Sequence, residues 1–117
     1  MKMMILLFAL VPTFAVASQY ECLPNQPHSE VQKIVIIDEE NSPHLELWNS
    51  SGLALSTPVE YGDDVDSIYY FSEAAGLNVS FFWSEMHQTH EADGTILLND
   101  GSQNRLVLGA RCKSTSN

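Results

Sequence analysis

The sequence predicts an all-β fold: a small antiparallel barrel or meander of about eight short strands closed by one disulfide. Three observations carry that expectation. Apolar and polar residues alternate along short runs rich in β-branched and aromatic side chains. Turn signals built on Gly, Pro, Asn and Asp recur every ten residues or so, and no stretch carries a sustained apolar stripe at helical spacing. Two cysteines, Cys22 and Cys112, lie near opposite ends of the chain. If the first and last strands pair, joining them covalently closes the sheet and removes two exposed edges. The alternative arrangement is a Greek-key β-sandwich. A barrel of this size is filled mostly by its own side chains and leaves little room for a large ligand.

Residues 1–17 read as a secretory signal peptide. Lys2 supplies the positive start, a short apolar run follows, and Ala15-Val16-Ala17 forms the small-residue cleavage pattern ahead of Ser18. The uninterrupted apolar run is far shorter than the roughly 20 residues a bilayer span needs, and Pro12 follows it. Cleavage leaves residues 18–117, a single exported β-domain that is secreted or periplasmic. No small-residue box leads directly into Cys22, so a lipid anchor is not expected.

In an oxidising compartment an even pair of cysteines in a small domain reads as a disulfide. Closing so long a loop stabilises by roughly 4–5 kcal/mol in the chain-entropy model. The other readings fit the spacing less well: a zinc module needs C-x-x-C, and a redox pair needs a vicinal partner.

Taken in order, Tyr20 and Cys22 share a face of the first strand, and Pro24 and Pro27 mark a loop. Residues 31–37, VQKIVII, form the second strand, with Ile34 through Ile37 apolar on both faces. An acidic turn, 38–43, precedes HLELWN at 44–49, where Leu45 and Leu47 alternate with polar residues. Ser50-Ser51-Gly52 is a turn, 53–55 a short strand, and Pro58 opens a further one at 59–61. The segment 67–84, SIYYFSEAAGLNVSFFWS, holds more than half of the chain's eleven aromatic residues. It reads as a hairpin of 68–71 against 77–83, joined by a Gly-ended link. Residues 85–94, EMHQTHEADG, read as an exposed loop with at most one helical turn. Strands at 95–98 and 105–112 complete the pattern, and Cys112 shares a face with Leu106, Leu108 and Ala110.

An exported domain with Tyr20-Glu21-Cys22 near its mature start and Cys112 near its end resembles the periplasmic C-type lysozyme inhibitors. The resemblance implies a small antiparallel barrel that inserts a loop into the lysozyme cleft. That family's inhibitory loop carries Ser-Gly followed by an aromatic residue, then a Trp-x-Lys-Gly region. Here Ser51-Gly52 is followed by Leu53-Ala54-Leu55, and Trp-x-Lys-Gly does not occur, so no inhibitory residue carries over.

The net charge is −10, and removing Lys2 leaves four Lys and Arg against fifteen Asp and Glu. Such a surface repels nucleic acid and, once the leader is removed, anionic membranes; it favours a cationic protein or a divalent ion. The densest polar cluster is Glu85, His87, His90, Glu91 and Asp93, whose imidazoles and carboxylates suit a divalent metal if a helical turn brings His87 and His90 together. The zinc-protease H-E-x-x-H arrangement is absent, and an ordinary solvated loop explains the same residues. Asp63, Asp64 and Asp66, with Glu60 nearby, make a second acidic group. It lacks the D-x-D-x-D-G calcium loop and suits a charged turn that blunts a strand edge. No serine lies in G-x-S-x-G, and disulfide-bonded cysteines are no nucleophiles. Trp48, Tyr69, Phe71 and Phe82 fall opposite the core residues, either as an exposed binding patch or as a second, partly covered face. Asn49-Ser50-Ser51 and Asn78-Val79-Ser80 are N-glycosylation sequons.

These readings lead to a non-enzymatic exported β-domain that needs no cofactor and binds another macromolecule, a cationic protein by charge. The alternative is an exported protein that holds a metal or a small molecule on the His87/His90 loop.

Overall fold

A computed structural model describes residues 18–39, 42–99 and 105–115, so the expected signal peptide, residues 1–17, lies outside the described residues. Nine strands and one helix follow one another as β1 (Ser18–Pro24), β2 (Lys33–Asp38), β3 (His44–Asn49), β4 (Gly52–Pro58), β5 (Glu60–Asp63), β6 (Ser67–Ser72), β7 (Leu77–Phe82), α1 (Trp83–Thr89), β8 (Glu91–Asn99) and β9 (Arg105–Ser114). They form one antiparallel sheet in the order β4-β3-β2-β1-β9-β8-β7-β6-β5, curled into a nearly closed barrel. Each half is a meander of neighbours in sequence, and the halves meet where β1 pairs with β9. The two end strands, β4 and β5, are separated in the chain by Val59 alone. Only this one residue spans the barrel's unpaired seam.

The predicted first-to-last pairing is present. Cys22 lies directly opposite Cys112 in the β1–β9 register, their Cα atoms 3.9 Å apart, and the two form a disulfide with no exposed surface. Beyond it the Thr115 amide donates to the Gln19 carbonyl at 2.8 Å, extending the ladder.

The period-two alternation fills the interior. Ile34 and Ile36, Leu45 and Leu47, Ile68 and Tyr70, and Leu77, Val79 and Phe81 all point inward and are buried. Val35 is buried as well, as the doubly apolar run in the second strand predicts. Tyr20 packs on Phe81 with ring centroids 4.9 Å apart and on Tyr70 at 6.3 Å, joining the two halves of the barrel through aromatic contact. In the β6–β7 link Gly76 takes φ +65°, and an added Cβ would strike the Asn99 carbonyl of β8. Only glycine fits both demands.

Two expectations are corrected. Trp83 does not end a strand: it begins α1, a helix of seven residues where at most one turn was expected. The reason lies eighteen residues away. The Asp66 carboxylate accepts the Ser84 amide at 3.0 Å and its hydroxyl at 2.8 Å, and the Asp66 carbonyl accepts the Trp83 amide at 2.8 Å. These bonds satisfy helix-start groups that would otherwise lack partners. Met86 then buries itself against the barrel interior. Residues 91–94 are not loop either. They open β8, because Ala92 pairs with Cys112 and Gly94 with Ala110 of β9, and the ladder continues where the Ser114 amide donates to the His90 carbonyl at 2.9 Å.

Candidate functional site

One end of the barrel opens into a cleft of about 980 Å³. Its floor is the buried core exposed by the strand ends: Tyr20, Val59, Ile68 and Tyr70. Carboxylates from several elements stand around this floor. Asp38 ends β2, Glu60 and Asp63 come from β5, and Asp64 and Asp66 come from the β5–β6 turn. The rim also carries Tyr61, Val65 and Trp83, which are 48%, 101% and 41% exposed. The volume falls within the usual range of ligand pockets, and an apolar floor with a few converging polar groups is their usual lining. The cleft is larger than a side-chain-filled barrel of this length suggests, and Val59, at the seam between β4 and β5, is part of its lining.

The acids here have distinct local partners. Tyr70 donates its hydroxyl to Asp38 Oδ2 at 2.7 Å, fixing that carboxylate at the cleft wall. Asp64 Oδ1 accepts the Val65 amide at 2.8 Å, and Asp66 caps α1. None of the five carboxylates pairs with a Lys or Arg among the described residues. The neighbouring phenols stay protonated at neutral pH. Burial, then the Asp38 hydrogen bond and charge, push the Tyr70 hydroxyl far above its ordinary value; burial above all raises Tyr20, and burial followed by Asp63 raises Tyr61. Of these hydroxyls, that of Tyr70 donates into the cleft, to Asp38.

The second acidic region has its counter-charge built in. Arg111 of β9 lies 3.0 Å from Asp93, 3.4 Å from Glu91 and 3.6 Å from Glu85, tying α1 to β8 and β9. These three carboxylates together raise the Arg111 pKa, the Asp93 hydrogen bond most. Glu85 also accepts the Asp93 amide at 3.0 Å. His87 packs its ring on Trp83 with centroids 5.5 Å apart, and His90 terminates α1 in the left-handed conformation with its amide on the Met86 carbonyl. The helical turn therefore forms, with His87 against Trp83 and His90 at the helix end. No group of three or more His, Cys, Asp or Glu side chains placed to share a metal ion is found among the described residues.

Of the four outward aromatics, Trp48 lies half-buried beneath Lys33 Nζ, 5.1 Å from the ring centroid, and Tyr69 and Phe71 half-cover each other at 6.1 Å. Phe82 is the exposed one, at 50%. Asn49 ends β3 with its side chain accepting the Ser51 amide at 2.8 Å, whereas Asn78 is half-buried within β7.

Reading the sequence alone picks out Asp63, Asp64, Asp66 and Glu60 as one group, but misses Asp38, Tyr20, Tyr61, Tyr70 and Trp83 as their companions. The available signal is that acids and aromatics share strand ends on the same side of consecutive turns. Among the described residues no helix is long and apolar enough to cross a membrane. The disulfide is compatible with an extracellular or periplasmic location. No protein-family model, curated protein or solved structure matches this chain.

Proposed function

We propose that the protein is a non-enzymatic exported β-domain that binds a cationic protein through the open mouth of its barrel. One observation carries this reading: five carboxylates surround a cleft floored by tyrosines and aliphatic side chains, and no Lys or Arg among the described residues neutralises them. Like charges held together around a low-dielectric wall focus a negative potential, which attracts and orients a positive partner. The contrast with the Arg111 cluster sharpens the point, because there the chain supplies its own cation. The disulfide supports residence in an oxidising compartment.

The test is capture from the exported fraction at low ionic strength, comparing the wild-type chain with a Glu60→Gln/Asp63→Asn/Asp64→Asn variant. These side chains are exposed, so the variant keeps the fold. A basic protein held by the wild type, released as salt rises toward about 0.3 M and absent from the variant supports the reading. Capture that is indifferent to both salt and the substitutions overturns it.

A further inference from the structure

Resting on that reading, we propose that the group the mouth receives from its partner is an arginine side chain. The carboxylates approach from separate places, with Asp38 at the end of β2 and Glu60 and Asp63 along β5. A guanidinium presents five N–H donors spread over a plane, so it can engage carboxylates on more than one side; an ammonium is a compact, strongly hydrated point charge. Asp38 is already oriented for such recognition, because Tyr70 holds its Oδ2 and leaves Oδ1 to accept a guanidinium N–H. Hydrogen bonds to a charged donor are roughly twice as strong as neutral ones. The rim supplies flat surfaces as well. Tyr61 and Trp83 are both exposed on the cleft, and guanidinium planes stack on aromatic faces. Val59 and Ile68 give the floor an apolar surface for the methylene stem. Val65, fully exposed at the rim between two aspartates, offers an apolar contact to the residues that flank the arginine. The proposed ligand is therefore an arginine with apolar neighbours, on a protein surface or an extended segment.

The probes are three capped pentapeptides, Gly-Leu-X-Leu-Gly, in which X is arginine, lysine or citrulline, titrated by calorimetry at about 0.02 M salt. Citrulline keeps the planar shape and removes the charge. The arginine peptide is expected to bind at least about fivefold tighter than the lysine peptide, with citrulline weakest. Asp38→Asn and Tyr61→Ala should each abolish the arginine-over-lysine preference. Tyr61 is exposed, so its variant keeps the test alive even if Asp38→Asn perturbs the fold. Equal binding of arginine and lysine, both lost in the Glu60→Gln/Asp63→Asn/Asp64→Asn variant, overturns the arginine proposal while leaving the cationic-partner reading standing. Citrulline binding as tightly as arginine overturns it too. Absence of binding by either cationic peptide overturns the arginine proposal, while the capture experiment still decides whether a cationic protein binds.

Discussion

Gly94 sits between Phe81 of β7 and Ala110 of β9, beside the buried disulfide. A Cβ there would run into the Ser80 carbonyl and come within 3.1 Å of Cys112 Sγ. Gly94→Ala should therefore lower stability by about 1–3 kcal/mol, read from the urea midpoint. Part of that loss should vanish in a Cys22→Ala/Cys112→Ala background, where the sulfur is gone but the carbonyl remains. Tyr20 and Tyr70 make the stability depend on pH. Both have folded pKa values raised above the ordinary 10.0, so at higher pH the unfolded chain has lost protons the folded chain retains. Stability is fully present below pH 10 and falls as pH rises beyond it, by up to about 1.4 kcal/mol per pH unit for each such group. Urea midpoints measured from pH 8 to about 12 check this, and Tyr70→Phe should shallow the decline. The sequence shows these residues unevenly. Tyr20 is legible as a core residue because Cys22 shares its face, yet nothing in the chain announces that its ring meets Phe81 and Tyr70. Asp38 looks like the start of an acidic turn, and only barrel closure brings it to Tyr70, thirty-two residues away.

At the level of elements, Arg111 fastens α1 to the start of β8 through Glu85, Glu91 and Asp93. These ion pairs are exposed and water-screened, so they contribute to local order more than to global stability. Arg111→Gln should leave the urea midpoint nearly unchanged and raise amide exchange in α1 only modestly, since the Asp66 hydrogen bonds and buried Met86 still hold the helix to the barrel. A large shift of the midpoint would show that the cluster holds more than the helix. Strands with clean alternation are legible from composition: Leu77, Val79 and Phe81 turn inward as their spacing dictates. The misread elements are those whose cause is remote. Trp83 continues the aromatic run of β7 and still turns into a helix, because Asp66 supplies partners for the next amides. Glu91-Ala92-Asp93-Gly94 has one apolar residue and still forms strand, because β9 offers a ladder and Ala92 fits inside.

For the whole molecule, the decisive long-range pairing is β1 with β9, where the disulfide joins residues 90 apart in sequence. A Cys22→Ala/Cys112→Ala variant should lose about 2–5 kcal/mol, a large share of what a domain of this size holds. Reductant added to the wild type should lower its urea midpoint by a similar amount, and a midpoint indifferent to reduction would sink the closure argument. The barrel architecture was accessible from the cysteine positions and the turn spacing together. Its open mouth was not, because whether β4 and β5 pair depends on curvature accumulated over nine strands.

The seam at Val59 has a consequence for connectivity. Gln19 and Thr115 are bonded neighbours, so a circular permutant could join the chain near them and begin instead at Val59. Its strands would then run β5-β6-β7-β8-β9-β1-β2-β3-β4, and every neighbour in the sheet would be a neighbour in sequence. Contact order drops without any pairing being lost, so the permutant should fold faster than the natural arrangement in stopped-flow experiments. The cysteines would close a far shorter loop, and reducing them should matter correspondingly less.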